Sequence, residues 1–179
     1  MPHPGADRPS PATLLLVCGL PGSGKTTLAR RLAAERSAVR LCPDEWLEQL
    51  GQSIWDIAAR ARVEALQRGL LEDLLALGVS VVLEWGTWAR SERVELRDLA
   101  RSHGARVELV YLDAPDEELH RRITERGRED RAITLEDLQT WRGLFEIPSA
   151  AEVRTYDQPA ARHTGCSRAA SSAAREHQA

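Results

Sequence analysis

Residues 13–27 read TLLLVCGLPGSGKTT, and three signals lie end to end within them. Residues 13–18 are a short apolar run stopped by glycine, which predicts a buried parallel strand. Gly19-Leu20-Pro21-Gly22-Ser23-Gly24-Lys25-Thr26 follows, with Thr27 behind it, and fits the pattern G-x-x-x-x-G-K-[ST]. Residues 25–35 then predict a helix. In such a loop the glycines let the backbone wrap inward, so that successive N–H groups face a phosphate. The helix start adds the positive end of its dipole. The lysine, here Lys25, reaches the β- and γ-phosphates, and the following hydroxyl, here Thr26, ligates magnesium. Lys25 is also the only lysine among 24 basic residues. The chain uses arginine almost wherever either cation would serve, and keeps a compact ammonium where a phosphate loop needs one. The stretch from Gly19 to Thr27 therefore predicts a site for a nucleoside triphosphate, ATP with magnesium.

Outward from this stretch, strands and helices alternate. A second strand is expected over residues 38–42, closed by Pro43, and two helical stretches follow it. The longer covers residues 55–77, with Leu66, Leu70, Leu74 and Leu77 at helical spacing and Gly78 as its stop. Residues 79–84 (VSVVLE) predict a third strand and residues 89–103 a charged helix. Residues 106–112 (RVELVYL) predict a fourth strand, and residues 115–126 a helix with proline and three acids in its first turn. Thr134-Leu135-Glu136-Asp137 has the form of a capping box opening one more helix, to about Phe145. This alternation predicts an α/β fold, a parallel sheet of four to five strands with helices on both faces, which with the phosphate loop gives a three-layer P-loop NTPase sandwich. Residues 1–12 read as a disordered leader, 13–159 as the domain and 160–179 as a disordered tail. No apolar strand is legible after Tyr156.

Composition narrows the function. A net charge of −3 argues against a protein built to bind nucleic acid wholesale, which is usually strongly basic. Three cysteines (Cys18, Cys42 and Cys166) without ligand spacing argue against a disulfide framework or a zinc site. Cys18 and Cys42 lie in apolar runs and read as small buried hydrophobes. No secretion signal and no apolar run of membrane-spanning length is evident, so a cytoplasmic protein with no membrane partner is expected. The histidines are scattered without ligand spacing.

Four segments together carry a family resemblance: GLPGSGKTT, then PDEW at 43–46, VVLEWGTWAR at 81–90 and LHRRITERGRED at 119–130. Over about residues 14–159 the chain resembles the small bacterial P-loop kinases and AAA-type ATP-binding proteins, which implies the nucleoside-kinase-like form of the sandwich. That group includes chloramphenicol phosphotransferase, zeta toxins and the kinase domain of polynucleotide kinases. The resemblance implies that Asp44 orients an acceptor hydroxyl and takes its proton. Capping of the helix that starts beside it is the other reading of Asp44. The resemblance also places Glu84 near the magnesium shell; the group more often has Asp there, and the longer side chain would act through water. Arg122 and Arg126 match the R-x-x-x-R helix of a lid. Their i, i+4 spacing puts both on one face, able to clamp phosphates, and Arg128 follows as a further nucleotide contact. Against this stands a solvated face in which Arg121, Arg122, Arg126, Arg128 and Arg131 pair with Glu125, Glu129 and Asp130. Trp85, Trp88 and Arg90 either line an acceptor pocket or, for the tryptophans, belong to the core.

The expectation is a kinase that moves the γ-phosphate of ATP onto a hydroxyl of a small molecule or nucleotide. Its rival is an ATP-binding module that hydrolyses slowly or not at all. A regulatory GTPase is the weaker alternative, because its guanine-reading N-K-x-D pattern needs a second lysine. A polynucleotide acceptor is not favoured, since only the arginine cluster hints at a basic channel.

Overall fold

A computed structural model describes residues 11–127 and 132–157. The chain runs β1 (Thr13–Cys18), α1 (Lys25–Glu35), β2 (Val39–Leu41), α2 (Pro43–Gln49), α3 (Ile57–Ala76), β3 (Val81–Gly86), α4 (Arg90–Ser102), β4 (Arg106–Tyr111), α5 (Asp116–Arg126), α6 (Leu135–Leu144) and α7 (Ala150–Val153). The four strands are all parallel, in the order β2-β3-β1-β4.

The apolar strands are explained by burial on both faces. Leu14, Leu16, Val81, Leu83, Val107 and Leu109 pack on one side with Leu71 and Leu75 of α3 and Leu96 and Ala100 of α4. Leu15, Val17, Val82 and Val110 pack on the other with Leu28 and Ala29 of α1. β1, at the centre of this arrangement, thus ends where both layers meet, and its loop opens at the carboxyl ends of its neighbours. Such sheets bind their ligands there. Among the described residues no fifth strand forms. On the outer edge of β4 a single residue, Asp157, pairs with Val107: its N–H donates to the Val107 carbonyl at 2.9 Å, and its carboxylate accepts from the Val107 N–H at 2.6 Å. The expected tail, residues 160–179, lies outside the described residues, as do residues 1–10 of the expected leader. No described helix is long and apolar enough to cross a membrane.

The structure refines α3 and corrects the third strand. On α3 the buried stripe is Ala59, Val63, Gln67, Leu71 and Leu75; of the four spaced leucines, Leu70 and Leu74 pack partly against the core, while Leu66 and Leu77 are 66% and 78% exposed. Both stripes have helical spacing, and the true one includes a glutamine, tolerated because its side-chain oxygen accepts a hydrogen bond from the Trp85 indole at 2.8 Å. The third strand starts two residues late, because residues 78–80 finish α3 and join neighbouring elements. Gly78 turns with φ 76° and the Val79 N–H caps the Leu74 carbonyl at 2.8 Å. The strand then runs on to Gly86, so Glu84 lies inside it. Leu16 pairs with Leu83 but Cys18 pairs with Gly86, so β3 holds one extra residue at Glu84–Trp85.

α4 carries a feature absent from the sequence reading. Arg93 is fully buried and pairs with Glu152 of α7 at 2.7 Å. Its guanidinium also donates to the carbonyls of Thr87, Trp88 and Glu146 at 3.0, 3.1 and 2.8 Å. Thr87 has φ 40°, a conformation that β-branched residues avoid. Arg93 therefore fastens a strained turn after β3 to the segment beyond α6.

The buried face of α3 makes a direct prediction. Leu71→Ala should cost about 2–5 kcal/mol in urea unfolding, as for a fully buried leucine, whereas Leu66→Ala should change stability by less than about 0.5 kcal/mol. Equal effects would mean that the other leucine stripe faces the sheet.

Candidate functional site

The loop between β1 and α1 runs through a passage too narrow for side chains. Gly19 has φ 144°, and a Cβ there would stand 2.3 Å from the Leu112 carbonyl oxygen. Gly22 has φ 80°, and its Cβ would stand 2.8 Å from the Leu119 carbonyl oxygen of α5. Gly24 differs: it has φ 95° with nothing within 4 Å, so the loop there faces open space. α1 begins at Lys25 with no side-chain cap on its first N–H groups. These uncapped donors and the dipole end point into a cavity of 640 Å³ that the loop partly lines.

The side chains of the loop are held by protein partners. The Lys25 ammonium donates to the Leu20 carbonyl at 3.0 Å. Burial pulls its pKa down, and the Glu84 and Asp44 carboxylates work against that pull. The Thr26 hydroxyl donates to Glu84. Glu84 is nearly inaccessible and also accepts from Arg40 at 2.8 Å. Arg40 in turn pairs with Glu45, which accepts from Arg30 at 2.7 Å. This chain of charges joins α1, β2, β3 and α2.

Asp44 lies in the first turn of α2, but the N-cap is Cys42 and no side chain caps the helix. The capping reading of Asp44 is thereby corrected: its carboxylate faces the cavity and pairs with Arg60 of α3. Arg60 also lies 3.4 Å from Glu64.

The arginine cluster divides. Arg121 is turned outward and bridges Glu118 and Glu125, at 2.8 and 2.6 Å, as in the solvated-face reading. Arg122 and Arg126 line the cavity. Arg122 is held by Glu118 at 2.6 Å and reaches the Gly22 carbonyl at 3.4 Å. Arg128 and Arg131 lie outside the described residues.

Trp85 and Trp88 line the cavity while packing partly on the core. Arg90 is exposed and not among the lining residues. Thus Lys25, Thr26, Asp44, Glu84, Arg122 and Arg126 meet around one cavity with Gly22, Gly24 and Thr27. The sequence reading missed Arg40 and Arg60, which fix the two carboxylates. For Arg40 one signal existed, a charge in a short strand otherwise made of Val39 and Leu41. For Arg60 there was none.

An anion-sized cradle of uncapped N–H groups beside a buried ammonium suits a nucleotide phosphate chain. Among the described residues no set of three His, Cys, Asp or Glu side chains could by itself hold a metal ion. Thr26 and Glu84 supply hard oxygen atoms, the donor type and small number with which a protein holds magnesium beside substrate phosphates.

Residues 14–148 match the AAA domain family, and the chain belongs to it. No curated protein matches it. Among solved structures, a candidate kinase from Chloroflexus aurantiacus J-10-fl is 24% identical with a TM-score of 0.63, covering 78% of this chain and 82% of that one. A chain of the Pnkp1/Rnl/Hen1 RNA repair complex is 20% identical with a TM-score of 0.68, covering 87% of this chain and 50% of that one. A sugar kinase from Janibacter sp. HTCC2649 is 25% identical with a TM-score of 0.55, covering 79% and 82%. The architecture is therefore the P-loop kinase fold, whose loop implies nucleotide binding, and the resemblance to P-loop kinases holds.

The two kinds of loop glycine should respond differently to alanine. Gly19→Ala combines a disfavoured φ with a backbone clash and should cost more than about 3 kcal/mol of stability. Gly24→Ala pays for φ alone, about 1–2 kcal/mol. Urea unfolding of the two variants checks the order; a milder effect at Gly19 would contradict the close approach to Leu112.

Proposed function

We propose that the protein is an ATP-dependent phosphotransferase, moving the γ-phosphate of ATP, bound with magnesium, to a hydroxyl of a small molecule or nucleotide. The supporting observation is that one cavity is lined both by the phosphate loop and by Asp44, a carboxylate held by Arg60. A module that only held nucleotide would need room for the sugar and base, but no such carboxylate facing the same cavity.

The roles follow from position. The N–H groups from Gly22 to Thr27 and the start of α1 receive the β- and γ-phosphates. Lys25 exchanges the Leu20 carbonyl for phosphate oxygens, and Thr26 turns from Glu84 toward the metal site. Glu84, fixed by Arg40, stays close enough to act through water. Magnesium, when bound, neutralises charge on the β- and γ-phosphates. Arg122 and Arg126 add cationic hydrogen bonds where negative charge spreads over the moving phosphoryl group. Arg60 orients Asp44, whose carboxylate accepts the proton of the acceptor hydroxyl. The acceptor oxygen gains its bond to phosphorus as the bond from the γ-phosphorus to the bridging oxygen breaks, and ADP leaves with that oxygen. Such transfers rest mainly on positioning and charge, which a cavity of this kind supplies.

Asp44→Asn separates these roles. It keeps the size of the side chain but removes the proton acceptor. ATP affinity by calorimetry should barely change, while phosphoryl transfer from labelled ATP to hydroxyl-bearing compounds should fall about a hundredfold to ten-thousandfold. Transfer that survives the substitution refutes the base assignment. Absence of transfer by the unmutated protein to any acceptor in the screen favours a nucleotide-binding module instead.

A further inference from the structure

Much of the cavity wall is tryptophan. Trp55, Trp85, Trp88 and Trp141 line it, four of the chain's five tryptophans. Trp55 and Trp141 stack with centroids 5.9 Å apart, and Trp88 tilts against Trp141 at 6.1 Å. The Trp85 indole N–H is occupied by Gln67. All four are only partly buried, so ring surface remains turned to the cavity. Flat apolar walls of this kind suit a ring, and they offer few donors and acceptors for a polyol.

Charge sets a second constraint. In the same lining Arg60 is set against two carboxylates, Asp44 and Glu64, and touches both. Burial raises the Glu64 pKa, as expected of a carboxylate with too little positive company. An anionic acceptor would meet two carboxylates and a guanidinium already engaged. An ammonium would balance the surplus charge and lie against tryptophan faces.

Building on the kinase reading, we infer that the acceptor is a ring-bearing amino alcohol. Its ring lies on the tryptophan walls, its hydroxyl meets Asp44 and its ammonium meets Glu64, which makes Glu64 the specificity-determining residue. The transfer is the one already described, with the amine unchanged.

Three probes that share a phenyl ring and a benzylic hydroxyl test this: 2-amino-1-phenylethanol, 1-phenylethanol and mandelate. Each is titrated into the whole protein without ATP and followed by tryptophan fluorescence. The amine should bind at least about tenfold more tightly than mandelate, with the neutral alcohol between. Glu64→Gln should erase the advantage of the amine over the neutral alcohol and leave the neutral alcohol within about twofold. Trp141→Ala should weaken all three. Mandelate binding as tightly as the amine, an amine advantage that survives Glu64→Gln, or no response to any probe overturns the inference. These readouts need no catalysis. If the order holds but the amine is never phosphorylated from ATP, the kinase reading fails and the pocket assignment stands.

Discussion

Everything in this molecule hangs on how the chain leaves β1. Between Cys18 and Lys25 it must pass the Leu112 carbonyl and then the backbone of α5, and neither passage admits a Cβ at Gly19 or Gly22. Only glycine combines that approach with positive φ. Because the loop is held this closely, α1 starts where the sheet ends, packs Leu28 and Ala29 on one face, and leaves its first N–H groups uncapped over the cavity. The constraint that shapes the turn therefore also creates the anion site, and packing and binding cannot be separated there.

A second layer of order is electrostatic. Two carboxylates at the site, Asp44 and Glu84, come from different elements, and each is aimed by an arginine from a third: Arg60 on α3 and Arg40 on β2. Unpaired, carboxylates at such positions would swing or draw protons. The Arg93–Glu152 pair plays a comparable part on the far wall, where it binds the Thr87 turn to the segment after α6 and so sets the place of Trp88. Breaking a buried pair of this type typically costs about 3–5 kcal/mol, so the wall is held firmly.

The sequence displayed what local physics encodes. The glycine loop, the four strands and the Thr134–Asp137 capping box are all short-range patterns, and each was found in its expected place save β3, which is shifted by two residues. The burial of Cys18 and Cys42 was legible in the same way. The face of α3 was not, because two leucine stripes share one period and the buried one is interrupted by Gln67. The bounds of β3 were off by two residues, because the closing turn of α3 takes the residues that looked like its start and Trp85 and Gly86 extend its end, so that Glu84 lies inside the strand. The long-range ion pairs were not legible: Arg60 is 16 residues from Asp44, Arg40 is 44 from Glu84, and Arg93 is 59 from Glu152. Only the packed sheet brings them together.

The central claim is that the loop from Gly19 to Thr27 holds a nucleotide by its phosphates, with the chain's single lysine as its cation. Calorimetry with magnesium and ATP, run on the unmutated protein and on Lys25→Ala, tests this most directly. The account predicts saturable binding to the unmutated protein and a loss of at least about a hundredfold in affinity in the variant, with an unchanged circular dichroism spectrum. Equal affinity in a correctly folded variant would contradict it.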